Sequence, residues 1–297
     1  MKKNIVLQNS VARVVIAPEL GGSILSYEVI LNGTTVQIFK PSLQAKLVRE
    51  TCYFPLVPYS NRIRSGRFKW LESDISLPLN NKPEKHSLHG HGWQTHWDVV
   101  RNNDLSIQLE YRYKQAEWPF NYRVIQSIRL ENEILKMELK IINQSELTMP
   151  VGLGFHPYFS RTPLCRVSAK VGKMWATDYE IMPTNLVDAP ANLNSLNGIK
   201  VDDFQLDNCL IDFEQQAIIY WPEWQSKVTI IASNNCPFLV FYSQESEDYF
   251  CLEPVTHSTD AINLAAKGQL NTGMVSLPSD QEFSISMQII PEATTAL

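Results

Sequence analysis

The chain has 297 residues, 44% hydrophobic and 19% charged, with a formal net charge of −5. That length buries a large core without staples, as two ordinary domains or as one long all-β domain. An acidic balance argues against a nucleic-acid backbone as partner. No apolar run approaches the ~20 residues that span a bilayer; a small neutral ligand stays open.

Taken in chain order, "MKKNIVLQNSVARVV" offers only Ile5 to Leu7 as an apolar run before polar residues, short of the roughly 7–15 of a secretory leader. "LSYEVILNGTTVQIF" sets Asn32-Gly33 between two β-rich runs, the strongest short hairpin signal. "PYSNRIRSGRF" places Arg62, Arg64 and Arg67 around a turn at Ser65-Gly66. Spaced i, i+2, the first two are expected to share one face of a strand. They form either a solvated charge run or a source of forked hydrogen bonds to ligand oxygens.

"HSLHGHGWQTHW" then gathers His86, His89, His91 and His96, four of the six histidines. A zincin site needs H-E-x-x-H on a helix, and a double-stranded β-helix site an H-x-H with a nearby carboxylate. Neither is present, since the first acid after His91 is Asp98, so no metal is expected. His91 and His96 are expected to orient loops by bonding backbone. Gly90 and Gly92 bring the backbone close to whatever the loop faces, and Trp93 is either core or a flat wall for a ring-shaped ligand.

Downstream the period is two. "LSIQLEYRY" alternates Leu105, Ile107, Leu109, Tyr111 and Tyr113 with polar residues, and "YRVIQSIRL" and "ILKMELKII" flank "ENE" as a hairpin. "VGLGFHPYF" and "YFCLEPVTH" each carry an ionisable residue, His156 or Glu253, directly before a proline. Both runs are expected to end there as strands, because proline cannot continue a central ladder. Desolvation would raise the glutamate pKa and lower that of the histidine, as a base and an acid working near neutral pH require.

Residues 177 to 207 read as long loops, and "VTIIAS", "FLVFYSQ" and "FSISMQII" return to strands. The five cysteines are scattered without a C-x-x-C and read as small buried hydrophobes in a reducing compartment. No G-x-S-x-G elbow, Walker A sequence or dinucleotide loop occurs. The expectation is one antiparallel β domain over residues 1–297, cytoplasmic, with no cofactor.

Five stretches in order, "SNRI" (60–63), "HSLHG" (86–90), "FHPYF" (155–159), "LDNC" (206–209) and "CLEP" (251–254), resemble the aldose 1-epimerase (galactose mutarotase) family. The resemblance spans roughly residues 10 to 290 and is weakest between Ser160 and Val201. It implies an all-β fold, a large, mostly antiparallel sandwich, and anomer interconversion of a free aldohexose such as galactose or glucose. By motif, His156 resembles the family's general acid, Glu253 its general base and His89 the second active-site histidine. Arg62 and Asp207 resemble the residues that hold sugar hydroxyls, with Asp212 an alternative to Asp207. Asn61 and Trp93 are added as substrate-binding candidates.

Better-known members have Asn before the acid histidine and Thr after it, against Phe155 and Pro157 here, and a glycine pair after the loop histidine. These departures leave the sugar open. The implied partner is a small sugar, with neither nucleic acid nor membrane, and the chain a monomer or homodimer. The rivals are a hexose-6-phosphate 1-epimerase, favoured if Arg64 or Arg67 reaches the site, a non-catalytic sugar-binding module, and a glycosidase pairing Glu253 with Asp207.

Overall fold

Strict alternation makes the outer hairpins. Tyr122–Glu131 and Ile134–Asn143 pair residue by residue around Asn132-Glu133, each strand alternating buried and part-exposed side chains. Ser23–Leu31 turns at Asn32-Gly33, both at positive φ, into Thr34–Gln37. Two positive φ values match the twist of the flanking strands, which is why Asn-Gly serves.

In the computed structural model, which describes residues 4–294, these strands belong to two large antiparallel sheets of eleven and nine strands. Met1 to Lys3, the start of the stretch weighed as a leader, lie outside the described residues. Side chains of both sheets form one large core, beside a small satellite cluster of Val15, Ala17 and Leu25. No helix among the described residues is long and apolar enough to cross a membrane; the sole α-helix among them is Ala261–Ala266.

Five neighbouring strands of the larger sheet carry the cleft described below. They are β1 (Tyr53–Leu56), β2 (Gly154–Ser160), β3 (Leu206–Leu210), β4 (Phe238–Ser243) and β5 (Tyr249–Val255). Their order across the sheet is β1-β2-β5-β4-β3. Side chains alternate between faces along a strand. On β2, Phe155 and Phe159 belong to the core while His156 and Tyr158 line the cleft.

Three expectations are corrected here. Neither β2 nor β5 ends at its proline: Pro157 sits opposite Tyr53 and Pro254 opposite Leu239, with strand continuing beyond each. Pairing between β2 and β5 instead lapses between Gly154↔Val255 and Tyr158↔Cys251. Both prolines fall in that gap, each lacking the N–H that a ladder needs. Two prolines on one seam are tolerated because each strand keeps its other neighbour.

Residues 177–207 are not loops alone, since Pro183–Asp188 pairs with Lys173–Thr177 at the sheet edge. That strand is mostly exposed and carries no apolar alternation to betray it. Finally, Arg62 and Arg64 do not share a strand face. The strand stops at Ile63, and Arg64 begins a tight turn with Ser65 at positive φ. All five cysteines are buried and free.

Candidate active site

Register across the larger sheet assembles the cleft floor. Phe54 lies opposite His156 on the β1–β2 ladder, and Glu253 opposite Val240 on the β5–β4 ladder. The two pairs flanking the β2–β5 gap put His156 beside Glu253. The next row runs Tyr158, Cys251, Tyr242 and Asp207. The cleft has a volume of about 320 Å³, room for a monosaccharide.

His156 Nε2 lies 3.3 Å from Glu253 Oε1, with both side chains buried. The imidazole packs against Phe54 (centroids 4.4 Å apart) and Tyr158 (4.8 Å), which also touch each other. His156 Nδ1 and Glu253 Oε2 are buried without a hydrogen-bond partner. Burial, and next the charge of Asp207, pushes the Glu253 carboxyl well above the usual carboxylate range, with Arg62 opposing. Burial pushes His156 down to about 3. Burial thus pushes both members of the pair toward their neutral forms across a short contact.

His89 enters from the loop beside β1. Asn61 and His89 both adopt left-handed backbone, φ 57° and 58°, a conformation that needs support in residues other than glycine. They support each other: the His89 N–H donates to the Asn61 carbonyl at 2.9 Å, and the Asn61 N–H donates to His89 Nδ1 at 2.9 Å. A ring whose Nδ1 accepts carries its proton on Nε2. Burial first, then the charges of His156 and Arg62, hold its pKa well below the ordinary value. His89 is a neutral donor 5.2 Å, ring to ring, from His156.

Arg62 is held on several sides. Its Nη2 bonds Glu84 Oε1 at 2.9 Å and meets Asp207 Oδ2 at 3.5 Å, while Nη1 donates to Asn61 Oδ1 at 3.3 Å. Against the penalty of burial, Asp207, Glu84 and Glu253 keep its pKa above the ordinary value. Trp93 stacks on Phe54 at 5.3 Å, and its indole N–H donates to the carbonyls of Leu88 and Gly90.

All seven residues singled out in the sequence (Asn61, Arg62, His89, Trp93, His156, Asp207 and Glu253) line this one cleft. Asp212 does not; it packs beside Gly172. The other histidines lie elsewhere. His91 stacks on Tyr113 at 4.5 Å and meets the Tyr122 hydroxyl at 3.3 Å, and His96 lies between Glu19 and Asp98 near the surface. The expectation that these two bond backbone is corrected. His86 and His257 do that instead, accepting from the N–H groups of Ser65 and Ser60. Arg64 turns toward Asp178 and Asp260, and neither it nor Arg67 lines the cleft.

Phe54, Tyr158, Tyr242, Tyr249 and Cys251 also line the cleft, as do Glu84 and Arg49 at its rim. Sequence reasoning missed them, although one signal was available. Residues two apart on a strand share a face, so His156 implies Tyr158, and Glu253 implies Cys251 and Tyr249. Glu84 comes from a loop and Arg49 from the short 3-10 turn Val48–Glu50, and neither gave such a signal. Among metal-ligating groups, His156, Cys251 and Glu253 place their ligand atoms within 4.8 Å of one another.

The model of the aldose 1-epimerase family matches residues 3–289, and the chain belongs to that family. It is 28% identical over 234 residues to the uncharacterized protein YphB of Escherichia coli K12, covering 76% of this chain and 80% of that one. The fold is that of a galactose mutarotase-like protein from Clostridium acetobutylicum (TM-score 0.87, 19% identity, 99% and 96% of the two chains). It is equally that of a galactose 1-epimerase from Lactobacillus acidophilus (TM-score 0.77, 14% identity, 98% and 95%).

Proposed function

We propose that the chain is a mutarotase that interconverts the α and β anomers of a free aldohexose, in the cytoplasm and without a cofactor. The observation that carries this reading is the buried His156–Glu253 contact at the floor of a sugar-sized cleft. A proton passes from Glu253 to His156, leaving a carboxylate base and an imidazolium acid, with the charge separation eased by the Arg62 cation nearby. Glu253 takes the proton of the anomeric hydroxyl while His156 protonates the ring oxygen, and the ring opens to the aldehyde. Both groups then stand as in the resting pair, with Glu253 protonated and His156 neutral.

Rotation about C1–C2 and reversal of the transfers close the ring with the hydroxyl on the other face. One member of the pair gives the sugar a proton as the other takes one, so the cycle needs no external acid or base. His89, with its proton on Nε2, donates to a sugar oxygen. Arg62, Asp207 and Asn61 hold hydroxyls, and Trp93 walls the ring. The partner of Glu253 is a histidine rather than a second carboxylate, which favours anomer exchange over glycoside hydrolysis.

One observation favours a second reading. Arg49 is exposed at the rim, positioned to meet an anionic substituent such as a 6-phosphate. Polarimetry on freshly dissolved single anomers of free aldoses and of hexose 6-phosphates, corrected for spontaneous mutarotation, separates these possibilities. Acceleration of free aldoses is expected. Rates at the buffer value for every sugar would sink the enzyme reading and leave a binding module.

A further inference from the structure

We propose that His156, Cys251 and Glu253 form an inhibitory site for a thiophilic divalent cation of the zinc(II) class. Their ligand atoms lie within 4.8 Å of one another, and the His156 Nε2 to Glu253 Oε1 separation is 3.3 Å. Tetrahedral ligands around zinc, with Zn–N near 2.0 Å and Zn–S near 2.3 Å, stand roughly 3.3–3.6 Å apart. The histidine–carboxylate edge already has that length, and the thiol completes the face from within 4.8 Å.

A second observation points to a ligand. Glu253, only 3% exposed, leaves Oε2 without any hydrogen-bond partner, and an orphaned buried carboxyl oxygen is costly. Cys251 is fully buried between Tyr158 and Tyr242 on the cleft face. A set of one imidazole, one thiolate and one carboxylate is soft enough to prefer zinc or cobalt over magnesium or calcium. It leaves the fourth position open to the cleft, as three-ligand zinc sites do.

Coordination requires the thiolate and the carboxylate, so the thiol proton of Cys251 and any proton on Glu253 leave as the cation enters. The cation occupies the pair that would serve the anomeric centre, and zinc therefore inhibits competitively with sugar. Inhibition rests on the mutarotase reading; coordination does not.

The experiment titrates metal-free protein with cobalt(II) and follows the thiolate-to-cobalt charge-transfer band in the near ultraviolet, with zinc inhibition of mutarotation measured alongside. One cobalt per chain with a thiolate band is expected, and magnesium should neither displace it nor inhibit. Cys251→Ala should abolish the band. Glu253→Gln, which preserves shape, should keep the band and weaken cobalt binding about tenfold or more, the scale on which zinc sites respond to altered surroundings. A band surviving in Cys251→Ala, absence of any thiolate band in the wild type, or undiminished affinity in Glu253→Gln would each overturn the proposal. If no sugar is turned over, the cobalt band still decides the site, so the two readings fail separately.

Discussion

At the scale of the residue, the decisive feature is a carboxyl group kept from water. Glu253→Gln preserves shape and an acceptor while removing the proposed base. Turnover is expected to fall by ~10²–10⁴-fold, the usual contribution of a positioned proton acceptor, with sugar affinity changing far less. His156→Asn should behave alike, and the double variant should lose less than the product because the two act as one unit.

The same residue also has a stability signature. Burial raises the folded-state pKa of Glu253 above its unfolded value of about 4.3. The wild-type folded state therefore binds more protons than the unfolded state once pH exceeds that value, and its stability declines as pH rises toward the folded pKa. Glutamine lacks this penalty. The Tm of Glu253→Gln relative to wild type should rise between pH 4 and pH 8, and a difference independent of pH would contradict the assigned burial effect.

His89 and His91 divide roles in a similar way. His89→Ala should lower turnover by about tenfold or more. His91→Ala, which loses a stacking contact with Tyr113, should lower Tm and spare kcat. The reverse pattern would exchange the two assignments.

At the scale of the element, a glycine loop and a broken ladder place these side chains. Gly90 holds φ 70° and bridges to Val57, whose carbonyl also receives the N–H groups of His91 and Gly92. A Cβ at Gly90 would collide with that carbonyl and with the Pro58 ring. Gly90→Ala is thus expected to cost about 1–3 kcal/mol through strain alone, and to reduce turnover because His89 and Trp93 flank the hinge. Urea unfolding and polarimetry on one preparation check both, and wild-type behaviour in each would mean that the loop adapts without disturbing the site. The lapse between β2 and β5 belongs to the same logic, since the His156–Glu253 contact sits where Pro157 and Pro254 withhold their donors.

At the scale of the whole molecule, the two sheets are tied by a buried polar connection. The Tyr53 hydroxyl on β1 donates to Gln126 Oε1 at 2.7 Å, and Gln126 Nε2 donates to the Gly22 carbonyl at 2.8 Å. Gln126 belongs to the nine-stranded sheet and is fully buried. Gln126→Leu strands the hydroxyl and the carbonyl, each at about 1–3 kcal/mol. A clear fall in Tm is expected with kcat per folded molecule retained. If Tm does not move, the network is not what joins the sheets.

Period-two alternation identified the antiparallel strands, Asn32-Gly33 and "ENE" identified their hairpins, and the proline-flanked His156 and Glu253 identified the ionisable pair. Those signals are local, because backbone geometry fixes which neighbours share a face. What the sequence could not decide was anything set by register between distant segments. It could not place His156 3.3 Å from Glu253, nor turn Arg62 into the cleft while Arg64 went to Asp178. It misjudged both prolines, because whether a missing N–H ends a strand depends on what lies across the seam. It also missed the Pro183–Asp188 edge strand, whose pairing is made by backbone groups that carry no side-chain pattern. Chemistry-bearing residues were legible one at a time, and only the sheet and the loops packed against it brought them into one site.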